Sequence, residues 1–544
     1  MSRRSPVGET QNPLVCYLSP SGISSNFEQG TCRIYVGYVR LIVKLRSLLL
    51  VVLLLVVLLP AAILSAQITV PTVLSDHMVV QRDLPVHIWG RAPVGQQVSV
   101  TFRGQTVTGE SNRLGRFSIY LKPGEAGGPF DISIKSASSD SQEIVIHDVL
   151  VGDVWIASGQ SNMEFPMSRA STAVADLPHA DNPRIRLMIV DKKAADYAQD
   201  DLPTKGWAAS TPDTAKDFSA VAWYFAREIE QREHVPVGVV DSTWGGTVAE
   251  AWVRLTALGK DASLDSLFAS RGKMLDNAAD TENQLKDEQR QRDEAKAAGK
   301  PIPQFPWHPP LASWGPGNLW NGMIAPLAPL PIRGVIWYQG ESNSALDRWP
   351  LYDRIMRTLI EDWRRQWAVG PFPFFYVQIS NFKSSPLEDW ASLREQQVKT
   401  LGLRDTAMAV TIDIGNPDDI HPTDKLTVGH RLALAARALT YGESNLEYSG
   451  PMFRETTPEG RSIRAWFDHA HGLTAKGGEV TSVEVAGSDG KFAPASAKVE
   501  GETIVATSPD VLNPVAIRYG WSNSPQCNLF NGDGLPASPF TSAK

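Results

Sequence analysis

The chain has 544 residues, 42% of them hydrophobic and 20% charged, with a net charge of −7. That length implies more than one domain, and the composition is that of a folded globular protein rather than a disordered or fibrous one. The acidic balance argues against nucleic acid and anionic membrane surfaces as partners, and three cysteines are too few for a disulfide-built scaffold.

Taken in order, the chain first shows Arg40, Lys44 and Arg46 ahead of an apolar run from Leu48 to Leu59, then Pro60 to Ala66 with small residues at its end. A charged segment, an apolar segment and small residues read as a signal peptide, with cleavage expected after Ala66. The competing reading is a membrane anchor over residues 47–64, but the run is short for a full span. Residues 1–66 are therefore expected to be an extension plus export signal, and the mature protein to be periplasmic or extracellular. Their loss removes six basic and two acidic residues, leaves a net charge of −11, and leaves Cys527 as the one cysteine. Neither an internal disulfide nor a cysteine-type structural zinc site is then expected.

Residues 67–147 read as a β domain. Val86–Gly90, Val98–Phe102, Phe117–Leu121 and Phe130–Ile134 alternate or run apolar between Gly- and Pro-rich turns, the pattern of a small antiparallel sandwich. From residue 148 to 442 strand and helix patterns alternate, which predicts a parallel sheet covered by helices. Apolar runs at Val149–Val151 and Val154–Ala157 lead into Gly159-Gln160-Ser161-Asn162-Met163. Pro236–Val240 leads to Ser242-Thr243-Trp244-Gly245-Gly246, and Gly334–Tyr338 leads to Gln339-Gly340-Glu341-Ser342-Asn343. Phe218, Val221, Ala222, Phe225 and Ile229 share a helix face, as do Tyr352, Ile355, Met356, Leu359 and Trp363. A charged insertion at about residues 260–310 reads as a solvated helix over Asp276–Lys300 closed by a proline-rich stretch. Residues 443–544 return to β patterns, a second β domain.

In an open α/β sheet the ligand crevice lies at the carboxyl ends of the strands. Ser161, Gly245-Gly246 and Gln339–Asn343 all fall at such ends. So does His421, which follows the strand Thr406–Ile412 and precedes a helix capped by Thr423 or Asp424. Singly, each has a bland reading: a loop serine, a turn, a bracing carboxylate, an ordinary loop histidine. Together they fit nucleophilic catalysis. A serine hydroxyl needs a base, and the base needs a carboxylate to fix its tautomer; His421 with Asp419 or Asp418 supplies both. Developing negative charge needs N–H donors, available from the Ser161 backbone, Gly245 or Gly246, and a side-chain amide at Gln339 or Asn343. Gln160, Asn162 and Glu341 flank these and are expected to contact substrate or brace the loops. Histidine and carboxylate spacing offers no metal site, and no glycine-rich loop fits a nucleotide, so no metal or cofactor is expected.

The blocks Gly159–Met163, Ser242–Thr247, Trp337–Asn343 and Asp419–Pro422 resemble the sialate O-acetylesterase family of carbohydrate esterases, within the SGNH hydrolases. Leu319–Leu327 and Gly534–Phe540 support the resemblance. It implies a three-layer flavodoxin-like α/β core with a parallel sheet, flanked by N- and C-terminal β-sandwich-type domains, and no metal. It implies Ser161 as nucleophile and His421 as base, forming an acetyl-enzyme while removing O-acetyl groups from sugars. SGNH enzymes commonly place the aspartate three residues before the histidine, here Asp418; the nearer family pattern places it two before, here Asp419. A backbone carbonyl is a further possibility, and Gln339 and Asn343 compete for the amide role. The partner implied is an acetylated sugar or glycan, either sialate or a hemicellulose such as acetylxylan; no stable membrane partner is implied. A sialate carboxylate would call for a cation near the pocket, and Arg169 and Arg348 lie close to the blocks. The reading from another class is a carbohydrate-binding protein without catalysis.

Overall fold

The structure is a computed structural model that describes residues 46, 67–136, 143–305 and 308–543. The expected signal segment, its cleavage site and the alternative anchor over 47–64 therefore lie outside the described residues, apart from Arg46. Among the described residues no helix is long and apolar enough to cross a membrane.

Six strands precede the central one: β1 (Val79–Gln81), β2 (Val86–Arg91), β3 (Gln97–Phe102), β4 (Gln105–Glu110), β5 (Arg116–Leu121) and β6 (Gly127–Ser136). The alternating burial of β3 and β5 follows their alternating apolar residues, one face in and one face out. Then comes β7, Glu143–Gly159, a single strand of 17 residues. Its first half pairs antiparallel with β6, and β1 joins it in parallel at Leu150–Gly152. Its second half, from Asp153, lies between two parallel partners. The sequence reads two short runs here, and the expected boundary at 147/148 falls inside this one strand.

The parallel neighbours are β8 (Asn182–Ile189), β10 (Val237–Thr243), β11 (Gly334–Tyr338), β12 (Phe374–Val377) and β13 (Thr406–Ala409), with the short β9 (Ala208–Ser210) antiparallel at one edge. The order is β13-β12-β11-β7-β10-β8-β9. Strands β10, β11 and β12 are buried at every residue, as continuous apolar runs require when both faces of a sheet are covered. The result is a mixed α/β protein whose central sheet combines parallel and antiparallel pairs. Four helices beyond the first strand-end turn matter here: α2 (Ala220–Glu233), α5 (Tyr352–Trp367), α6 (Trp390–Thr400) and α7 (Lys425–Leu439) pack around the sheet. The turn itself is α1, Ser161–Glu164. Side-chain oxygens of Ser219, Asp389 and Asp424 cap α2, α6 and α7.

The charged insertion holds the solvated helix expected over Asp276–Lys300, as α4 (Ala278–Ala297), and ahead of it a further helix, α3 (Asp265–Asp276). The break at Asn277 is consistent with the low helix propensity of asparagine. Beyond residue 443 stand two four-stranded sheets around their own core of Ile463, Val485, Ile504, Ile517 and Phe540. Of the fifteen tryptophans among the described residues nine are buried. Trp252, Trp337, Trp363, Trp320 and Trp367 pack edge-on or tilted with centroids about 5.7–6.3 Å apart, so their chief service is to the core.

At the foot of the parallel half of β7, Asp153 is fully buried. It accepts from Gln81 (2.9 Å), twice from Arg82 (2.9 Å), from Arg333 (2.8 Å) and from the Tyr441 hydroxyl (2.9 Å). Burial alone would push this carboxyl up; the Arg82 hydrogen bond and the Arg333 and Arg82 charges outweigh it and hold it below the usual range. Asp153→Ala leaves two partly buried guanidinium groups without their anion and is expected to cost about 3 kcal/mol, measurable by urea unfolding. Because the folded value is depressed, this contribution is present above about pH 4, the unfolded value, and is lost as pH falls further.

Candidate active site

Strand β7 ends at Gly159 (φ 132°), where a side chain would begin 2.1 Å from the Tyr338 carbonyl oxygen of β11. Only glycine permits that approach. The Gln160 N–H donates to the same carbonyl at 2.9 Å, and the chain turns at once into α1. Ser161 is the first residue of that turn, so its N–H is one of the orphan donors at a helix start.

Across the crevice His421 stands in the loop between β13 and α7. Its Nε2 lies 2.8 Å from Ser161 Oγ. This is the contact a nucleophile and its base require. The two expected aspartates separate clearly. Asp419 Oδ1 accepts from the His421 backbone N–H at 2.9 Å and lies 3.8 Å from Nδ1. It therefore supplies charge to the imidazole without a hydrogen bond to it. Asp418 is exposed and pairs with Lys383 Nζ at 2.9 Å. Burial and the Lys425 charge pull His421 below its ordinary value, against the opposing pull of Asp419.

Not every expected donor faces the crevice. Gln339 and Asn343 are wholly buried. Gln339 Nε2 donates to Asn343 Oδ1 (2.7 Å) and the Thr247 carbonyl (3.2 Å), and Asn343 Nδ2 donates to Glu250 (2.9 Å). Both amides are thus committed to bracing the loops after β10 and β11. The Gly245 N–H donates to Glu164 Oε2 at 2.5 Å, and Glu164 Oε1 meets Lys192 Nζ at 2.5 Å. Gly246 (φ 73°) forms the turn beside it, its carbonyl accepting from Trp314. Gln160 and Asn162 reach behind the serine: Gln160 Oε1 accepts from the Ser342 N–H (3.2 Å), and Asn162 Nδ2 donates to Glu341 (2.5 Å) and the Ile420 carbonyl (3.0 Å).

The cavity over Ser161 and His421 measures about 550 Å³, and Glu164, Arg169, Lys192 and Asp241 also line it. Arg169 lies over the Phe165 ring, whereas Arg348 pairs with buried Glu250. Asp241 is buried at the end of β10, and burial pushes its carboxyl up to about 7. The sequence reading missed Glu164, Lys192, Asp241 and Lys425. Glu164 falls three residues after the serine, one helical turn along α1, a spacing that could have pointed to it. A second serine–histidine contact, His87 Nε2 to Ser118 Oγ at 2.7 Å, borders another cavity of about 570 Å³. Ser118 lies inside β5, without the orphan N–H groups of a helix start. Among the described residues no group of three or more His, Cys, Asp or Glu could hold a metal ion.

The comparisons agree on one class. Residues 299–438 match the model of the carbohydrate esterase, sialic acid-specific acetylesterase domain. The sialate O-acetylesterase of Mus musculus is 31% identical over 516 residues, covering 86% of this chain and 93% of its own; that of Homo sapiens is 30% identical over 515 residues, covering 86% and 91%. The crystal structure of a carbohydrate acetylesterase from Xanthomonas citri superposes with a TM-score of 0.76 at 36% identity, covering 88% of this chain and 100% of that one. The protein is a carboxylic ester hydrolase with a carbohydrate esterase fold. Within that class, it belongs to the sialate O-acetylesterase family.

A methyl group at Gly245 would begin 3.0 Å from Glu164 Oε2 and 3.1 Å from Ser161 Cβ. Gly245→Ala is expected to lower kcat/KM on p-nitrophenyl acetate by about 10–100-fold by displacing the serine, with thermal unfolding little changed.

Proposed function

We propose that the protein is an exported serine esterase that removes O-acetyl groups from carbohydrates through an acetyl-enzyme on Ser161. The observation that carries this reading is the 2.8 Å contact between Ser161 Oγ and His421 Nε2 at the carboxyl edge of the sheet. His421 takes the Ser161 proton as Oγ bonds to the acetyl carbon. The protonated imidazole then gives that proton to the departing sugar oxygen as the ester bond breaks. A water, deprotonated by His421, releases acetate and restores the serine. Asp419 steadies the imidazolium by charge. The Ser161 N–H and the Gly245-Gly246 turn are assigned to the oxyanion, with Gly246 the better placed, since Glu164 holds the Gly245 N–H. Gln160, Asn162 and Glu341 support the loops that carry these groups.

In this reading residues 148–442 form a three-layer SGNH core, with β-sandwich-type domains at 67–147 and 443–544 and a signal peptide within 1–66. The substrate favoured is an acetylated sialate, because Arg169 brings a guanidinium to the cavity wall, where a carboxylate would find a partner. Acetylated hemicellulose is the second substrate class, supported by the acidic groups of the same cavity. Acetate release from 9-O-acetylated sialic acid, acetylxylan and acetylated glucomannan separates the two; a preference for the neutral glycans would overturn the sialate assignment.

Ser161→Ala is expected to lose at least about 10³-fold in turnover and its covalent adduct with a fluorophosphonate. Near-normal turnover in a folded variant would sink the nucleophile, and no adduct on the native protein would favour a non-catalytic sugar binder. Because the His421 value is depressed and the base acts neutral, the acid limb of kcat/KM is expected below pH 6.5, the ordinary imidazole value.

A further inference from the structure

Behind the serine and histidine lies a buried cation that the proposed reaction does not touch. Lys425 is the first residue of α7, four positions after His421, and is 1% exposed. Its Nζ donates to Asn162 Oδ1 at 2.6 Å and sits against the rings of Phe165 (4.7 Å) and Tyr338 (5.5 Å). Two aromatic faces and an amide oxygen make a site for an ammonium rather than for a neutral chain. The amide that receives it is doubly used: Asn162 Nδ2 donates to Glu341 Oε1 and to the carbonyl of Ile420, the residue before His421. Glu341 is buried, and its second oxygen has no hydrogen-bond partner in the described structure. One side chain, Asn162, thus ties the strand end that carries Ser161 to the one that carries Glu341 and to the loop that carries His421. Lys425 fixes which way that amide points.

We propose that Lys425 is a positioning residue for the esterase reaction: its buried ammonium orients Asn162 behind the nucleophile, and through Asn162 the loop of His421, and sets a fixed positive charge behind that loop. The inference rests on the reading of His421 as the base. The charged groups that act on His421 come from four places: Lys425 on α7, Asp419 in its own loop, Arg169 on the turn after α1, and Glu164 on α1. Lys425 and Arg169 oppose protonation and Asp419 and Glu164 favour it, with Lys425 the largest of the four. Lys425 itself feels Glu341, Asp419 and Asp424, which favour its charge, and Arg169, which does not. Burial brings it down to about 7, so it carries its charge on the acidic side of that value, where an imidazole takes its proton. The charge is therefore present where it matters.

Three variants separate charge from packing. Lys425→Gln keeps a donor for Asn162 and removes the charge. Lys425→Met removes both, and Lys425→Arg keeps the charge. The expected result for Gln and Met is an acid limb of kcat/KM moved up by about 0.5–1 pH unit, the lower end of what a neighbouring charge does. Activity at pH 5 then falls about 3–10-fold with little change above pH 7.5 for Gln. Met is expected to lose kcat at all pH values as well, and Arg to restore the limb to its original place. NMR titration of the His421 imidazole in the Gln variant should rise by the same amount. A folded Gln variant whose limb and imidazole titration both stay where the native protein has them overturns the inference. The Gln and Arg pair decides the matter even if Met fails to fold. His421→Asn is the control for the underlying reading: if it remains active, His421 is not the base, whereas an inactive control with an unmoved Gln variant indicts Lys425 alone.

Discussion

The site depends on one close approach: the backbone of β7 at Gly159 against the Tyr338 carbonyl of β11. Adjacent parallel strands stand a fixed distance apart, but their exits need not. Here the exit of β7 is pressed onto its neighbour, and the Gln160 N–H seals the contact. The consequence is that two turns share one small volume. Ser161 begins α1 with its N–H free, and the Glu341 turn lies within reach of both Gln160 and Asn162. A side chain at residue 159 would drive these strand ends apart, and every later contact of the site would go with them.

Charge is distributed around that junction in layers. At the foot of the parallel half of β7, Asp153 gathers Arg82, Arg333 and Tyr441, which fastens the end of β1, the approach to β11 and the end of α7 to one strand. At the head of β7, the Asn162 amide gathers Glu341, the Ile420 carbonyl and Lys425. The two clusters have opposite logic. The lower one satisfies a buried anion so completely that it stays ionised, a stability device. The upper one leaves a carboxyl partly unsatisfied beside an ammonium that burial has weakened. Such a cluster stabilises little for its desolvation cost, and it sits directly behind the Ser161–His421 contact.

Much of this was legible in the residues. The continuous apolar runs that became β10, β11 and β12 are buried on both faces, as their lack of alternation required. The strand-end motifs converged because parallel strands deliver all their carboxyl ends to one edge. What was not legible has physical reasons. The apolar runs at 149–151 and 154–157 looked like separate strands because Gly152 and Asp153 interrupt them. Burial of Asp153 among arginines carries the strand through. In the insertion the helix expected over 276–300 is present at Ala278–Ala297, but the helix ahead of it, Asp265–Asp276, was not legible, because only Leu267 of its residues is buried. Gln339 and Asn343 looked like oxyanion donors because amides at strand ends are suitable ones. Their partners, Glu250 and Thr247, come from a different loop, and nothing local reveals that the amides are already spent.

The loop that holds His421 explains why the aspartate question could not be read from spacing. A carboxylate two or three residues before a histidine can reach its ring only if the intervening backbone curls. Here the curl is spent differently: Asp419 accepts from the His421 N–H, which leaves Oδ1 3.8 Å from Nδ1. The carboxylate thus fixes the loop first and the imidazole second. An imidazole held by backbone geometry, with weak carboxylate support, stabilises its protonated form poorly, and the buried ammonium behind it adds to that cost. Both features act in one direction, toward a histidine that gives up its proton readily. In the reaction proposed above, a base of this kind is poor at holding a proton and quick to return it, which suits the proposed step in which the sugar oxygen leaves.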